Sequence, residues 1–361
     1  MSPQEKMEPV LQQFRARIAE ATVGKTPLRI RGSGSKDWYG QSLQGSLLDT
    51  RAYSGIVAYD PTELVITARC GTPLAEIEAK LAQHNQMLAF EPPQFGPDST
   101  IGGVVASGLS GPRRQAVGAL RDFVLGVVLM DGRGELLRFG GQVMKNVAGY
   151  DVSRLLAGSL GVLGLILEVS LKVLPRPFFE TTLRFAMRKT EAIEQLNRWG
   201  GQPLPISASA WHGGVLIVRL SGSEPAIEAA ARKMGGEAQP HADAFWGDLR
   251  NQTNEFFNSA SETDPLWRLS LPSHMPPLAL KGEQLIEWGG AQRWLRTDAD
   301  ATTIRSVLQQ VGGHATLFRG GRKSAGVFQP LTPAVAAIHR NLKNTFDPAG
   351  IFNPGRMYDG L

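Results

Sequence analysis

The chain has 361 residues, 42% hydrophobic and 20% charged, with a net charge of +5. That suits a globular protein of about two domains with real cores, and without a run of five Lys or Arg it gives no footprint for nucleic acid. A single cysteine, Cys70, excludes an intramolecular disulfide framework and, within this chain, an iron–sulfur cluster of the ordinary multi-cysteine kind.

Met1 to Glu20 carries both signs of charge and lacks the apolar segment of a signal peptide. The most apolar run, Gly161 to Leu174, contains Glu168 and Lys172 and is shorter than the roughly 20 residues that span a bilayer. The expectation is a cytoplasmic protein with no transmembrane segment, peripheral attachment to a membrane surface being left open.

Residues 8–20 read as an amphipathic helix, with Val10, Leu11, Phe14 and Ile18 on one side. Leu28 to Arg31 is a short strand that runs into Gly32-Ser-Gly-Ser-Lys-Asp37. The third glycine of a G-x-G-x-x-G fingerprint is missing, so the loop reads as an anion nest rather than a Rossmann turn. Gly55–Tyr59 and Leu64–Ala68 are strands joined by a proline turn at Asp60-Pro-Thr-Glu63. Thr72 is the expected N-cap of the next helix, with Pro73 at its first position. Cys70, at the strand–turn junction, reads as a buried structural thiol.

Ser99 or Thr100 caps a helix that starts near Ile101-Gly-Gly103, and Gly102, Gly103, Ala106, Ser107 and Gly108 keep one face small. Free amides at that start suit a pyrophosphate. Gly111-Pro-Arg-Arg-Gln115 is a polar loop. Phe123–Met130 and Leu136–Phe139 form a hairpin closed by Asp131-Gly-Arg-Gly134. Lys145 to Arg154 follows, and Asp151-Val-Ser-Arg-Leu-Leu156, which overlaps its end, begins a further helix with an acidic start. Gly158-Ser-Leu-Gly-Val-Leu-Gly164 then feeds a strand over Leu165–Val173.

Pro175-Arg-Pro177 marks a boundary. Beyond it, strands at Thr181–Met187 and Val215–Leu220 alternate with helices at Glu191–Trp199 and Glu224–Met234, the order of an α+β unit of ferredoxin-like kind. Six of the seven tryptophans fall here and are assigned mostly to its core. Pro333–Phe346 is a helix followed by Asp347-Pro-Ala-Gly-Ile-Phe-Asn-Pro-Gly-Arg356. No internal repeat is visible.

Together these pieces resemble the FAD-linked oxidase superfamily that folds like vanillyl-alcohol oxidase and p-cresol methylhydroxylase, and within it the FAD-binding E-type subunits of bacterial glycolate oxidases. The family's first phosphate loop corresponds to Arg31, Gly32, Ser33, Gly34, Ser35 and Lys36. Its second corresponds to Pro97, Asp98, Ser99, Thr100, Ile101, Gly102 and Gly103, with Ser107 on the helix that follows. Its third corresponds to Gly158, Gly161, Val162 and Gly164, leading to Ile166, and its terminal signature contains Asn353. The resemblance implies an α+β fold. A two-subdomain FAD-binding domain of p-cresol-methylhydroxylase type covers 8–175 (about 8–90 and 91–175), an α+β cap covers 178–332, and the helix and tail at 333–361 return to the FAD domain.

Two departures shape the functional expectation. Many members attach FAD covalently through a histidine in the first loop or a cysteine in the second; here neither is present, so the resemblance implies noncovalent FAD. Catalytic 2-hydroxy-acid dehydrogenases of the family carry clustered histidines, including a His-Glu-His-Gly type segment. The corresponding stretch here, Gly312 to Gly326, has His314 alone, and no metal site is expected. Flavin oxidation of an α-hydroxy acid needs a base for the hydroxyl proton and a cation for the carboxylate. His314 is the candidate base, and Arg319, Arg322 and Lys323 are the candidate cations.

The favoured reading is the FAD-binding subunit of a multi-subunit glycolate oxidase that converts glycolate to glyoxylate. Its partners would be a catalytic flavoprotein subunit and an iron–sulfur subunit. Two alternatives stay open: a self-sufficient FAD-dependent dehydrogenase of a small 2-hydroxy acid or polyol, and a structural subunit that retains the fold for assembly.

Overall fold

A computed structural model describes residues 7–141 and 151–361. The part of the Lys145–Arg154 segment before Asp151 lies outside the described residues. Helix Pro9–Gly24 buries Leu11, Phe14, Ile18 and Ala21, a spacing that alternates three and four residues and so keeps one face on the core. The strand Leu28–Arg31 pairs in parallel with Ser46–Asp49 and, through Leu28, with Phe352 of the tail. The tail is pinned there by a buried lysine. Lys343 Nζ donates to Val162 O (2.8 Å), Phe352 O (2.8 Å) and Asp347 Oδ2 (2.7 Å), while Asp347 accepts the amides of Ile351 and Phe352.

A five-stranded antiparallel sheet runs in the order Ile56–Asp60, Val65–Arg69, Leu165–Lys172, Val124–Met130, Leu136–Gly140. Helices Leu74–Ala82 and Ile101–Ser107 bury Leu74, Ile77, Leu81, Ile101, Val104 and Val105 in the same core as the first helix and Phe346, Ile351 and Phe352 of the tail. Two local expectations change. Pro73, not Thr72, holds the N-cap position; the Thr72 hydroxyl instead accepts from Gly55 N (2.9 Å) and donates to Arg69 O (2.7 Å), tying two strands together. The helix expected from Asp151 is a single 3-10 turn, Ser153–Leu156. Gly158, at φ +87°, ends it before enough residues accumulate to propagate a helix.

The rest forms an eight-stranded antiparallel sheet, and its strand order reveals a duplication. Phe179–Ala186, Ile206–His212, Val215–Gly222 and Glu237–Ala238 lie in spatial order 4-1-3-2, with helices Lys189–Gly200 and Glu224–Met234 in the two crossovers. Leu266–Ser270, Glu283–Glu287, Gln292–Arg296 and His314–Arg319 repeat that order. The halves join edge to edge through Ala210–His212 and Leu285–Glu287. The second half keeps one crossover helix, Ala301–Gln310. In place of the other is a segment with Pro272, Pro276 and Pro277, residues that break helices. Buried Arg293 takes up its carbonyls, donating to Met275 O and to Pro276 O at 2.8 Å. The ferredoxin-like reading therefore applies twice, and the repeat lives in topology where the sequence shows none.

A buried charge cluster ties the eight-stranded sheet to the loop at Glu91 and the turn at Arg113. Arg113 pairs with Glu91 (3.3 Å) and Glu180 (2.6 Å), and Arg219 with Glu91 (2.8 Å). Removing one member of such a cluster leaves a buried charge without its partner, which costs far more than the assembled cluster contributes. This cluster, and the packing of Tyr39 and Leu109 among cap residues, fix how the cap faces the site.

Candidate functional site

The strand Leu28–Arg31 delivers the loop Gly32–Lys36 against the start of helix Ile101–Ser107. A Cβ at Gly32 would lie 2.3 Å from Thr100 Oγ1, and Gly34 sits at φ +81°, so both positions need glycine. Among the described residues the amides of Ser33, Gly34 and Lys36 have no protein acceptor, and Ser35 N reaches only Ser33 Oγ at 3.4 Å. This is an anion nest with free donors. Lys36 Nζ reaches Ser99 Oγ (2.8 Å) and Ser35 Oγ (3.4 Å). Burial pulls its pKa down to about 8, and no carboxylate pairs with it among the described residues. Arg31 is paired with Asp37 at 2.7 Å. Arg356 holds the far end of the loop through the carbonyls of Gln41, Lys36 and Asp37, and burial lowers its pKa to about 10.

The helix start differs from expectation. Thr100 is the N-cap, but the amides there are not free. Ile101 N donates to Thr72 O (2.9 Å), Gly102 N to Cys70 O (2.9 Å) and Gly103 N to Thr100 Oγ1 (3.4 Å). Gly102 is small because the helix rests on Cys70, whose Cβ would be 2.7 Å from an added Cβ; Gly103, with nothing nearer than 3.4 Å, faces the cradle. Cys70 itself is buried, which pushes its thiol up to about 12.

The loop, Thr100, Gly103, Ser107, Leu160 and Asn353 enclose a cleft of about 90 Å³. It adjoins a narrower one of about 70 Å³ that reaches Gly102, Gly161, Gly164 and Ile166. Asn353 acts as a clasp: its Oδ1 accepts from Ile30 N (2.8 Å) and its Nδ2 donates to Leu160 O (2.6 Å). Val162 is buried and contributes its carbonyl to Lys343. Pro97 and Asp98 are exposed and line neither cleft. The residues present fit a dinucleotide, with free amides and a half-buried cation, Lys36, without a carboxylate partner among the described residues for the pyrophosphate, and glycine where a side chain would fill the space.

Beyond Ser107, Gly108 and Gly158 the cradle opens into a cavity of about 320 Å³ between these loops and the eight-stranded sheet. Of the candidate base and cations read from the sequence, only His314 lines it. Burial and nearby Arg268 push the His314 pKa down, so its imidazole is neutral at pH 7. Arg319 is drawn away, donating to Gln252 Oε1 (3.0 Å) with its guanidinium 4.7 Å from the Trp38 ring. Lys323 Nζ donates to Trp38 O (2.8 Å) and Gly40 O (2.7 Å). Arg322 is exposed and lines none of these spaces. The cations of the cavity are Arg114, Arg121 and Arg268. The first two lie in and just after what reads from sequence as a polar loop, and the third within a strand. No local signal joins them. Among the described residues no group of three His, Cys, Asp or Glu is placed to hold a metal, and no helix is long and apolar enough to cross a membrane.

Residues 11–140 match the family model described as FAD binding domain. The chain is 50% identical over 344 residues to glycolate oxidase subunit GlcE of Escherichia coli, which spans 95% of this chain and 96% of that one. Over 174 residues, 47% of this chain and 37% of the relative, it is 31% identical to glycolate oxidase subunit GlcD of Bacillus subtilis. Over 153 residues, 39% and 26% of the two chains, it is 28% identical to the mitochondrial D-lactate dehydrogenase [cytochrome] 1 of Saccharomyces cerevisiae. Solved structures of alkyldihydroxyacetonephosphate synthase superpose with a TM-score of 0.64 at 14% identity, over 95% of this chain and 75% of that one. That likeness establishes the α+β fold expected from the motifs. With half its residues shared along nearly the whole of both chains, this chain belongs to the family of the glycolate oxidase subunit GlcE.

Proposed function

We propose that the chain is the FAD-binding subunit of a multi-subunit glycolate oxidase, oxidising glycolate to glyoxylate and passing the electrons to partner subunits. The observation that carries this is the Gly32–Lys36 nest, with its free amides and uncompensated lysine, in a chain matching GlcE end to end. On this reading 8–175 is the FAD-binding domain, 178–332 the cap and 333–361 the segment that closes the cradle. Arg31 to Lys36 and Ser99 to Gly103 hold the pyrophosphate side. Ser107, Gly158, Gly161, Gly164, Ile166 and Asn353 shape the rest, and Pro97, Asp98 and Val162 support the loops.

When bound, the flavin supplies the electron acceptor for the substrate's α-carbon. The chain's own residues orient it and present a cationic cavity to an acid. A catalytic flavoprotein chain of the GlcD kind is the proposed first partner. An iron–sulfur chain is the second, because Cys70 is buried and alone. Attachment to the inner face of the cytoplasmic membrane would run through these partners. Purification of the tagged chain from its host tests the assembly; a chain that carries flavin and brings down neither kind of subunit would count against it.

Two measurements address the cradle. FAD should be noncovalent, because no histidine or cysteine stands in Gly32–Lys36 or Pro97–Gly103. Acid precipitation should release all flavin to the supernatant, and flavin fluorescence in the pellet would contradict this. The second is pH dependence. In the FAD-free protein Lys36 loses its proton near pH 8, whereas pairing with a pyrophosphate favours its charged form. Binding therefore takes up a proton above that pH, and affinity should fall by up to about tenfold per pH unit as pH rises past 8. Lys36→Met should flatten the profile. The depressed pKa has the opposite sign for the FAD-free fold: above about 8 the unfolded chain binds more protons, so this group's contribution to stability rises with pH up to the ordinary lysine value. An FAD affinity independent of pH between 7 and 9.5 would remove Lys36 from the cradle.

A further inference from the structure

Arg114, Arg121 and Arg268 converge on the interdomain cavity, and no Asp or Glu lines it. Arg114 lies with its guanidinium 4.1 Å from the Trp288 ring and has no ion pair among the described residues. Arg268 has no ion pair among the described residues; it donates to the Tyr39 hydroxyl at 3.3 Å and lies 5.6 Å from the Phe318 ring. The nearest carboxylate to Arg121 is Asp122, at 3.9 Å. The neighbouring cavity of about 480 Å³ is the contrast. Three of its four arginines, Arg113, Arg219 and Arg250, are neutralised by Glu91, Glu180 and Glu78. There the charge is structural. In the first cavity Arg114 and Arg268 have no carboxylate partner among the described residues, and exposed Arg121 has only Asp122 beside it: burial and the fields of Arg268 and Arg121 lower the Arg114 pKa, with Asp122 offsetting part of that. An anion relieves that repulsion, and one carboxylate cancels only one of the two charges that lack a carboxylate partner.

We propose that this cavity is a site for a small dianion, a ligand with one carboxylate and a second anionic group, either carboxylate or phosphate. Planar guanidinium groups engage both kinds of oxyanion in pairs of parallel hydrogen bonds. Gln292, Ser270 and His314 add polar contacts along the wall. The space, about 320 Å³, exceeds what a two-carbon hydroxy acid fills. The inference rests on the FAD reading above only in placing the flavin at the Ser107, Gly108 and Gly158 side, which leaves the arginines to the ligand. Longer anionic acids would thus compete with glycolate at this subunit.

The test is calorimetric titration of the FAD-loaded chain at low ionic strength with two matched pairs, succinate against butyrate and 3-phosphoglycerate against glycerate. At least one dianion should bind about tenfold or more tighter than its monoanionic match, and which does so identifies the second group. Arg114→Leu and Arg268→Leu should each reduce that ratio to about twofold. In the unmutated chain, raising the salt should shrink the ratio, because screening weakens the second contact. Dianions that bind no tighter than their matches, or a preference that survives the double substitution, would overturn the proposal. Flavin content measured on the same samples separates this from a failure of the cradle. If a variant loses FAD, the salt dependence of the unmutated chain decides.

Discussion

Mixed alone with glycolate in a stopped-flow instrument, the FAD-loaded chain should be reduced roughly 10²–10⁴-fold more slowly than the flavin of the reconstituted complex, the factor a positioned general base supplies. The single histidine in the cavity is neutral at pH 7, as a base must be, since burial and Arg268 hold its pKa down. A base also needs orientation. The His314 ring has no hydrogen-bond partner among the described residues, and no carboxylate lines the cavity to fix its tautomer. On this account His314→Ala changes turnover of the assembled complex only about twofold. Rapid and complete reduction of the lone chain, lost on His314→Ala, would instead establish a self-sufficient dehydrogenase.

A pair of neighbouring glycine substitutions should separate cofactor binding from folding. Gly103→Val should lower FAD affinity by about 100-fold or more, because the new side chain enters the space meant for the ligand. Its Cβ meets no protein atom nearer than 3.4 Å, so the FAD-free protein should melt within a few degrees of the parent. Gly102→Val, one residue earlier, points at Cys70, with an added Cβ only 2.7 Å from the Cys70 Cβ and 2.9 Å from its carbonyl oxygen. Overpacking of that kind costs about 1–3 kcal/mol, or on the order of 2–12 °C for a domain of this size. Calorimetry of the FAD-free variants and flavin absorbance after reconstitution check both. A Gly103→Val protein that keeps its full flavin content would show that the cradle lies elsewhere.

Much of this architecture was legible locally. Apolar runs bounded by turn residues located the central strands, and Asp131-Gly-Arg-Gly134 announced the hairpin that joins Val124–Met130 to Leu136–Gly140. Thr100 was readable as a cap, because the N-cap rule involves atoms three residues apart. The loop Gly32–Lys36 was readable as an anion nest, because its geometry depends on its own glycines. At Thr72 and Gly102 the expectation changed because a partner in another segment, Gly55 or Cys70, took the group. The Thr72 hydroxyl is taken by Gly55 and Arg69, and the amide of Gly102 by the carbonyl of Cys70. The duplicated cap escaped notice for a related reason: strand order is a property of pairing, and the loop through Pro272, Pro276 and Pro277 replaces one of the helices that would have displayed the repeat.

By itself the sequence determined the family motifs, the fold class and the loop that receives a phosphate, all encoded in short-range spacing. The composition of the cavity was decided only by tertiary structure. His314 and Arg319 are close in sequence and, through a register shift opposite Leu266 and Trp267, share one face of their strand, but they stand at its two ends and Arg319 is held by Gln252 and the Trp38 ring, so the pair does not serve one site. Arg114 and Arg121 stand on the short turns Arg114–Val117 and Leu120–Phe123 and Arg268 on the strand Leu266–Ser270, and only the packing of those turns against that strand's sheet brings their charges around one cavity.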